Sequence, residues 1–217
     1  MEERKLDRKE LLKKAGVGTA ALASLPALAG TALASGGARK ARWDIISLNP
    51  VPGVGAPPFT ISAGGLAEAK APDGTKIRLT GSGTFVAPAG NNGGSNAVTG
   101  GGTWTTFDPA IPPIPPAPTG SGTYEVRELV SFVLANSQDQ TAPFIDAIGD
   151  TKERANGTAV LRIQYSDGQP GVLVVGCHGP GAPPGIFEGI AVTKGFKTYD
   201  AVQAPTGNAN RTIFHVS

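Results

Sequence analysis

The segment Gly157–Cys177 constrains the fold more than any other part of the chain. Ala159, Leu161, Ile163 and Tyr165 alternate with Val160, Arg162 and Gln164, the period-2 pattern of a strand with one buried face. Ser166-Asp167-Gly168-Gln169-Pro170-Gly171 then supplies turn residues, including a Gly free to take positive φ and a Pro of fixed φ. Val172 to Val175 is apolar on both faces, which predicts a strand covered on both sides and central in its sheet. Pro180, Pro183 and Pro184 cannot donate to a ladder, so pairing is expected to stop near Gly179.

The rest of the mature chain reads as further strands arranged to cover this hairpin. Arg42–Leu48, Phe59–Ile61 resuming at Leu66–Ala71, Tyr124–Ala135, Ile186–Phe196 and Arg211–Ser217 are expected strands. Three segments echo one another: Leu79–Phe85 (LTGSGTF), Val98–Trp104 (VTGGGTW) and Pro118–Tyr124 (PTGSGTY) share Thr-Gly-x-Gly-Thr-aromatic. As strands they place each aromatic on the same face as its glycines and the threonines opposite, so a neighbouring ring can lie over bare backbone. Asp108–Pro118 is proline-rich and expected to run as extended polyproline II. Gln138–Arg154 is the only mature stretch that allows a short helix, around Phe144–Ile148. The prediction is an all-β domain over 42–217, a single antiparallel sandwich or barrel of about nine strands, preceded by a linker over 35–41.

The formal charge of +2 is confined to the N-terminus. Six Lys or Arg and four acids precede Ser35, and the remainder carries 13 of each. A neutral body lacks the basic footprint that nucleic acid or an anionic membrane surface would require.

Residues 1–14 are charged, Ala15–Ala29 is mildly apolar, and Ala32-Leu33-Ala34 forms an A-x-A cleavage pattern before Ser35. This is the order of an export signal with its helix over 1–34. The apolar run is shorter than the roughly 20 residues of a membrane-spanning helix. Asp7-Arg8-Lys9-Glu10-Leu11-Leu12-Lys13 resembles a twin-arginine translocation signal at Arg8, Leu11, Leu12 and Lys13, and departs from it at Asp7 and Lys9. The resemblance implies export in the folded state, while Lys9 leaves the general secretory route open. The expected partners are the corresponding translocon and a signal peptidase, with no stable membrane anchor after cleavage and a secreted, periplasmic or cell-surface destination. The body resembles uncharacterised bacterial secreted β-proteins, which brings no activity with it.

Few residues offer chemistry. With one Cys and two His there is no metal-ligand spacing, and no cofactor motif stands in a plausible context. Cys177 and His178 are adjacent, hence on opposite faces of a continuing strand, and Cys177 is expected to fill the core. Glu128 falls among Tyr124, Val126, Val130, Phe132 and Leu134, and Glu188 shares a face with Ile186, Ile190 and Val192. A carboxylate on a core face has a raised pKa unless it is paired. A β-bulge turning each Glu outward, or a partner such as Arg78 or Arg162, is the competing expectation. His215, beside Ile213, is expected to be a structural histidine. Glu128, Glu188, His178 and His215 are thus the candidate catalytic residues. The leading expectation is an exported, non-enzymatic module binding a small ligand or a partner. The alternatives are a cofactor-independent isomerase, cyclase or hydrolase using interior carboxylates of a barrel, and a structural envelope protein.

Overall fold

Which strands pair is decided by how the long strands are shared. The computed structural model describes residues 38–53, 55–87, 94–111, 114–202 and 209–217, and the export signal lies outside them. The strands are β1 (Arg39–Val51), β2 (Gly55–Ala63), β3 (Ala67–Lys70), β4 (Lys76–Leu79), β5 (Ser82–Ala87), β6 (Val98–Phe107) and β7 (Pro118–Ser137). They continue with β8 (Phe144–Asp146), β9 (Arg154–Tyr165), β10 (Pro170–Cys177), β11 (Gly189–Lys194), β12 (Lys197–Ala201) and β13 (Arg211–Val216). Among the described residues thirteen strands thus replace the expected nine, because short pieces such as β3, β4, β8 and β12 pair where their sequence reads as loop or fragment.

All thirteen belong to one sheet, antiparallel except for the parallel pair β2–β8. From β9 the pairing runs through β10, β11, β12, β3, β4, β6 and β7 and returns to β9. A second route leaves β9 through β13, β1 and β5 and rejoins at β6. Long strands make this branching possible: the first half of β6 pairs with β5 and its second half with β4. The result is all-β but neither a two-layered sandwich nor a simple barrel.

The interior is filled by side chains. Trp43, Phe85, Tyr124, Phe132, Tyr165 and Phe214 are buried together with Leu129, Leu161 and Leu173. Phe132 sits 4.9 Å from Phe85 and 5.2 Å from Phe214 between ring centroids. The hairpin β9–β10 pairs as its alternation predicts, with Leu161 opposite Leu173 and Ala159 opposite Val175. The three echoed segments also lie side by side, β5 against β6 and β6 against β7. Phe85, Trp104 and Tyr124 all point inward. A Cβ at Gly122 would stand 2.9 Å from Trp104 Nε1, and one at Gly81 would collide with Tyr124 Oη. The glycines therefore make room for rings. On the outer face the threonines pair across strands, Thr80 with Thr103 and Thr84 with Thr99, each at 2.8 Å.

A smaller second layer covers the outer face of β1, β2 and β13. Ile46, Ile61 and Ile213 point away from the main core and are capped by Phe144 and Ile148. The helix expected around Phe144–Ile148 is instead the strand β8. Backbone pairing of Phe144, Ile145 and Asp146 with Phe59, Thr60 and Ile61 overrides the local preference. The segment reserved as a linker also changes role: Arg39–Ala41 belong to β1, with Ala41 buried and paired with both Phe85 and Val216.

Candidate functional site

Two of the four sequence candidates meet, and the other two are held elsewhere. The β7–β9 register shifts between Val126 and Glu128, so a bulge rotates Glu128 off the core face. Its carboxylate lies 3.0 Å from Arg162 directly across the ladder, half-exposed. Leu129 takes the inward position and Val130 the outward one, the reverse of uninterrupted alternation. The competing expectation, a bulge plus Arg162, is the one that forms.

Glu188 also leaves the strand expected for it, because β11 begins only at Gly189, whose φ of +102° suits glycine. Phe187, just before it, lies against the bare backbone of Gly176. The Glu188 carboxylate turns inward and joins two strand ends. Oε2 accepts the His178 backbone N–H at 2.5 Å, just past β10, and Oε1 accepts the Thr212 N–H at 2.8 Å, in β13. Burial pushes its pKa up to about 7, against the opposing pull of those two N–H groups and of the Arg211 and His178 charges.

His178 lies beyond the end of β10, and its ring Nδ1 donates to the Ile186 carbonyl at 2.8 Å. That contact puts the neutral ring's lone pair on Nε2. Cys177, by contrast, points into the core with Leu173 and Val175. Its Sγ is 3.3 Å from both the Thr212 carbonyl and Gln138 Nε2, and burial pushes its thiol pKa well up. Cys177 and His178 therefore form no dyad.

Glu188 and His178 line a pocket of about 110 Å³. Its wall is apolar, built from Ile46, Leu48, Ile61, Phe144 and Ile213 of the second layer. Gln138 and Arg211 complete the polar side. A cavity of about 150 Å³ encloses a benzene-sized group, so a pocket of about 110 Å³ has room to enclose only part of such a group. At neutral pH the carboxyl is divided between its two protonation states, so it can donate to or accept from a ligand's polar group.

No family profile, curated protein or solved structure matches this chain. Among the described residues no three His, Cys, Asp or Glu side chains gather to hold a metal ion.

His215 belongs to a separate buried cluster under the same second layer. Its Nε2 is 2.9 Å from Asp146 Oδ2, and both side chains are buried. Asp146 Oδ1 accepts the N–H groups of Ile148 and Gly149 at 3.1 and 2.9 Å. The strand register aligns Arg42, His215 and Arg154 in one row. Arg42 reaches Asp44 at 2.7 Å and the Ile148 carbonyl at 2.9 Å, and burial raises the Asp44 pKa. These contacts fasten the 144–153 segment to β13. Asp146 and Arg154 escaped sequence reasoning, since nothing local marks residues so far apart as partners. An acid within a short apolar run, Phe144-Ile145-Asp146, is the one available hint.

Proposed function

We propose that this chain is an exported, non-enzymatic binding module whose Glu188–His178 pocket takes a small, mainly apolar ligand bearing one polar group. The observation that carries this reading is one concave site lined by five large apolar side chains together with Gln138, His178, Glu188 and Arg211. Export rests on the N-terminal pattern and its resemblance to a twin-arginine signal.

The pKa of Glu188 near 7, beside a histidine ring, favours a second reading: cofactor-independent acid–base catalysis of an isomerase, cyclase or hydrolase type. Two features weigh against it. Glu128 and His215 do not line the pocket, and both Glu188 oxygens already serve backbone N–H groups. NMR that follows both protein and ligand signals, with a library of small phenols, short-chain acids and amines, tests both readings. Binding that shifts Leu48, Phe144 and Ile213 resonances and is lost in Leu48→Trp, with the ligand recovered unchanged, is the expected result. A recovered product in place of the ligand would establish the enzyme reading, and no binding across the library would leave a structural role.

A further inference from the structure

The polar side chains of the pocket differ in what they leave open to a ligand. Gln138, just past β7, is buried, and its Nε2 lies 3.4 Å from the Ala155 carbonyl and 3.3 Å from Cys177 Sγ. Both neighbours accept, because the Cys177 proton is directed to the Thr212 carbonyl at 3.3 Å and leaves the sulfur lone pairs for the amide. The two partners fix which end of the amide is the NH2 group. Oε1 is then the end without a partner among the described residues.

His178 repeats the pattern. Its Nδ1–H is held by the Ile186 carbonyl, so the neutral ring has only the Nε2 lone pair to present. The Thr212 hydroxyl is likewise committed, donating to the Gly176 carbonyl at 2.6 Å. Each Glu188 oxygen accepts one backbone N–H and keeps a second lone pair. The side-chain donors of Gln138, His178 and Thr212 are thus used inside the fold. Three acceptors remain in the lining: Gln138 Oε1, His178 Nε2 and the Glu188 carboxylate. Arg211, whose guanidinium always donates, also lines the pocket and is itself already engaged.

From this we infer that the polar group selected by the pocket is an ammonium, and that the ligand is a small primary amine with a compact apolar body. The inference rests on the binding reading of the pocket given above and names the class of ligand. An ammonium carries three N–H donors and no acceptor, which matches the three open acceptors in number and in kind. A hydroxyl carries one donor and leaves acceptors unmet, and a carboxylate carries none and meets Glu188 as a like charge. The bound pair is N⁺–H on carboxylate, a charge-assisted bond of about twice the strength of a neutral one. Burial keeps the Glu188 carboxyl partly protonated at neutral pH, so an ammonium binds best once the proton has left. The titratable and charged groups acting on this carboxyl are His178 beyond β10, Arg211 on β13 and Cys177 on β10, whose thiol stays protonated.

Isobutylamine, isobutanol and 3-methylbutyrate present one isobutyl body with a cationic, a neutral and an anionic head. Each is titrated into the purified chain between pH 5 and pH 8, with affinity read from the protein's NMR shifts. Isobutylamine is expected to bind tightest at pH 8, about 10-fold or more ahead of isobutanol. Its affinity should fall roughly 10-fold or more by pH 5, as the carboxyl takes up its proton. Glu188→Gln should lose the preference for the amine and flatten its pH dependence, while isobutanol binds nearly as before. The wild-type ranking and pH profile decide the matter even where that variant does not fold. Isobutanol or 3-methylbutyrate binding as tightly as the amine at pH 8, or an amine affinity that is flat or rises toward pH 5, would overturn the ammonium assignment and leave the pocket a binding site. Failure of all three to bind would overturn it together with the binding reading.

Discussion

Replacing Glu188 by glutamine separates a titrating pocket carboxyl from a permanently charged clamp. In the folded chain its pKa is lifted from 4.5 to about 7, chiefly by burial. Between those values the folded protein retains a proton that the unfolded chain has released. Linkage then makes the unfolding free energy fall as pH rises through that window: the contribution is fully present below about 4.5 and lost by about 7. At about 1.4 kcal/mol per pKa unit the full shift corresponds to about 3 kcal/mol. Glutamine abolishes the fall but offers one acceptor oxygen to two N–H groups, those of His178 and Thr212. The orphaned donor costs about 1–2 kcal/mol at every pH. Glu188→Gln is therefore expected to be less stable than wild type at about pH 5 and level with it or better at about pH 8. Urea unfolding across this range, followed by the fluorescence of Trp43 and Trp104, measures the difference. Subtracting variant from wild type cancels the other titrations, including that of Asp44. A difference that stays constant across the window, or grows in favour of wild type as pH rises, would refute the assignment of a raised pKa to this carboxyl.

Trp104→Ala removes a ring that packs over Gly120 and Gly122 and donates to the Thr123 carbonyl at 3.1 Å; a loss of about 3–5 kcal/mol is expected in denaturant melts. Gly122→Ala should destabilise by about 1–3 kcal/mol, since its Cβ meets Trp104 and Ser166, and an unchanged midpoint would defeat the ring-over-glycine account. Asp146→Ala takes the partner from buried His215 and frees the Ile148 and Gly149 N–H groups; hydrogen exchange over 144–150 should accelerate ahead of the rest of the sheet. Cys177 is expected to resist thiol reagents in the native protein and to react fully once unfolded, because burial keeps the thiol protonated. Intact-mass analysis of exported material should find an N-terminus near Ser35. Unchanged export of Arg8→Ala would exclude the twin-arginine route while leaving secretion standing.

Within an uninterrupted strand, the backbone itself sends successive side chains to opposite faces, so facing is legible from sequence. That is why the inward set Leu173, Val175 and Cys177 was readable, and why Phe85, Trp104 and Tyr124 could be placed inside with their threonines outside. Turn residues likewise marked the β9–β10 hairpin, where Gly168 takes a φ of +86°. Alternation loses its authority wherever one residue is inserted, since a single-residue slip exchanges the two faces. The bulge before Glu128 did this, and only the neighbouring strand, which sets Arg162 opposite, determines where the bulge falls. Glu188 faces inward as expected, but its strand starts at Gly189 instead of Ile186, so its direction follows from the Thr212 and His178 N–H groups it reaches and not from alternation. Glu188 and His178 are thus legible in the sequence, but the pocket wall is not. Ile46, Ile61, Phe144 and Ile213 come together because β8 pairs in parallel with β2 across more than eighty residues of chain. Such a pairing leaves no local pattern in the sequence. It is selected by the apolar outer face of β1, β2 and β13, which is removed from water only when the 144–148 segment lies over it.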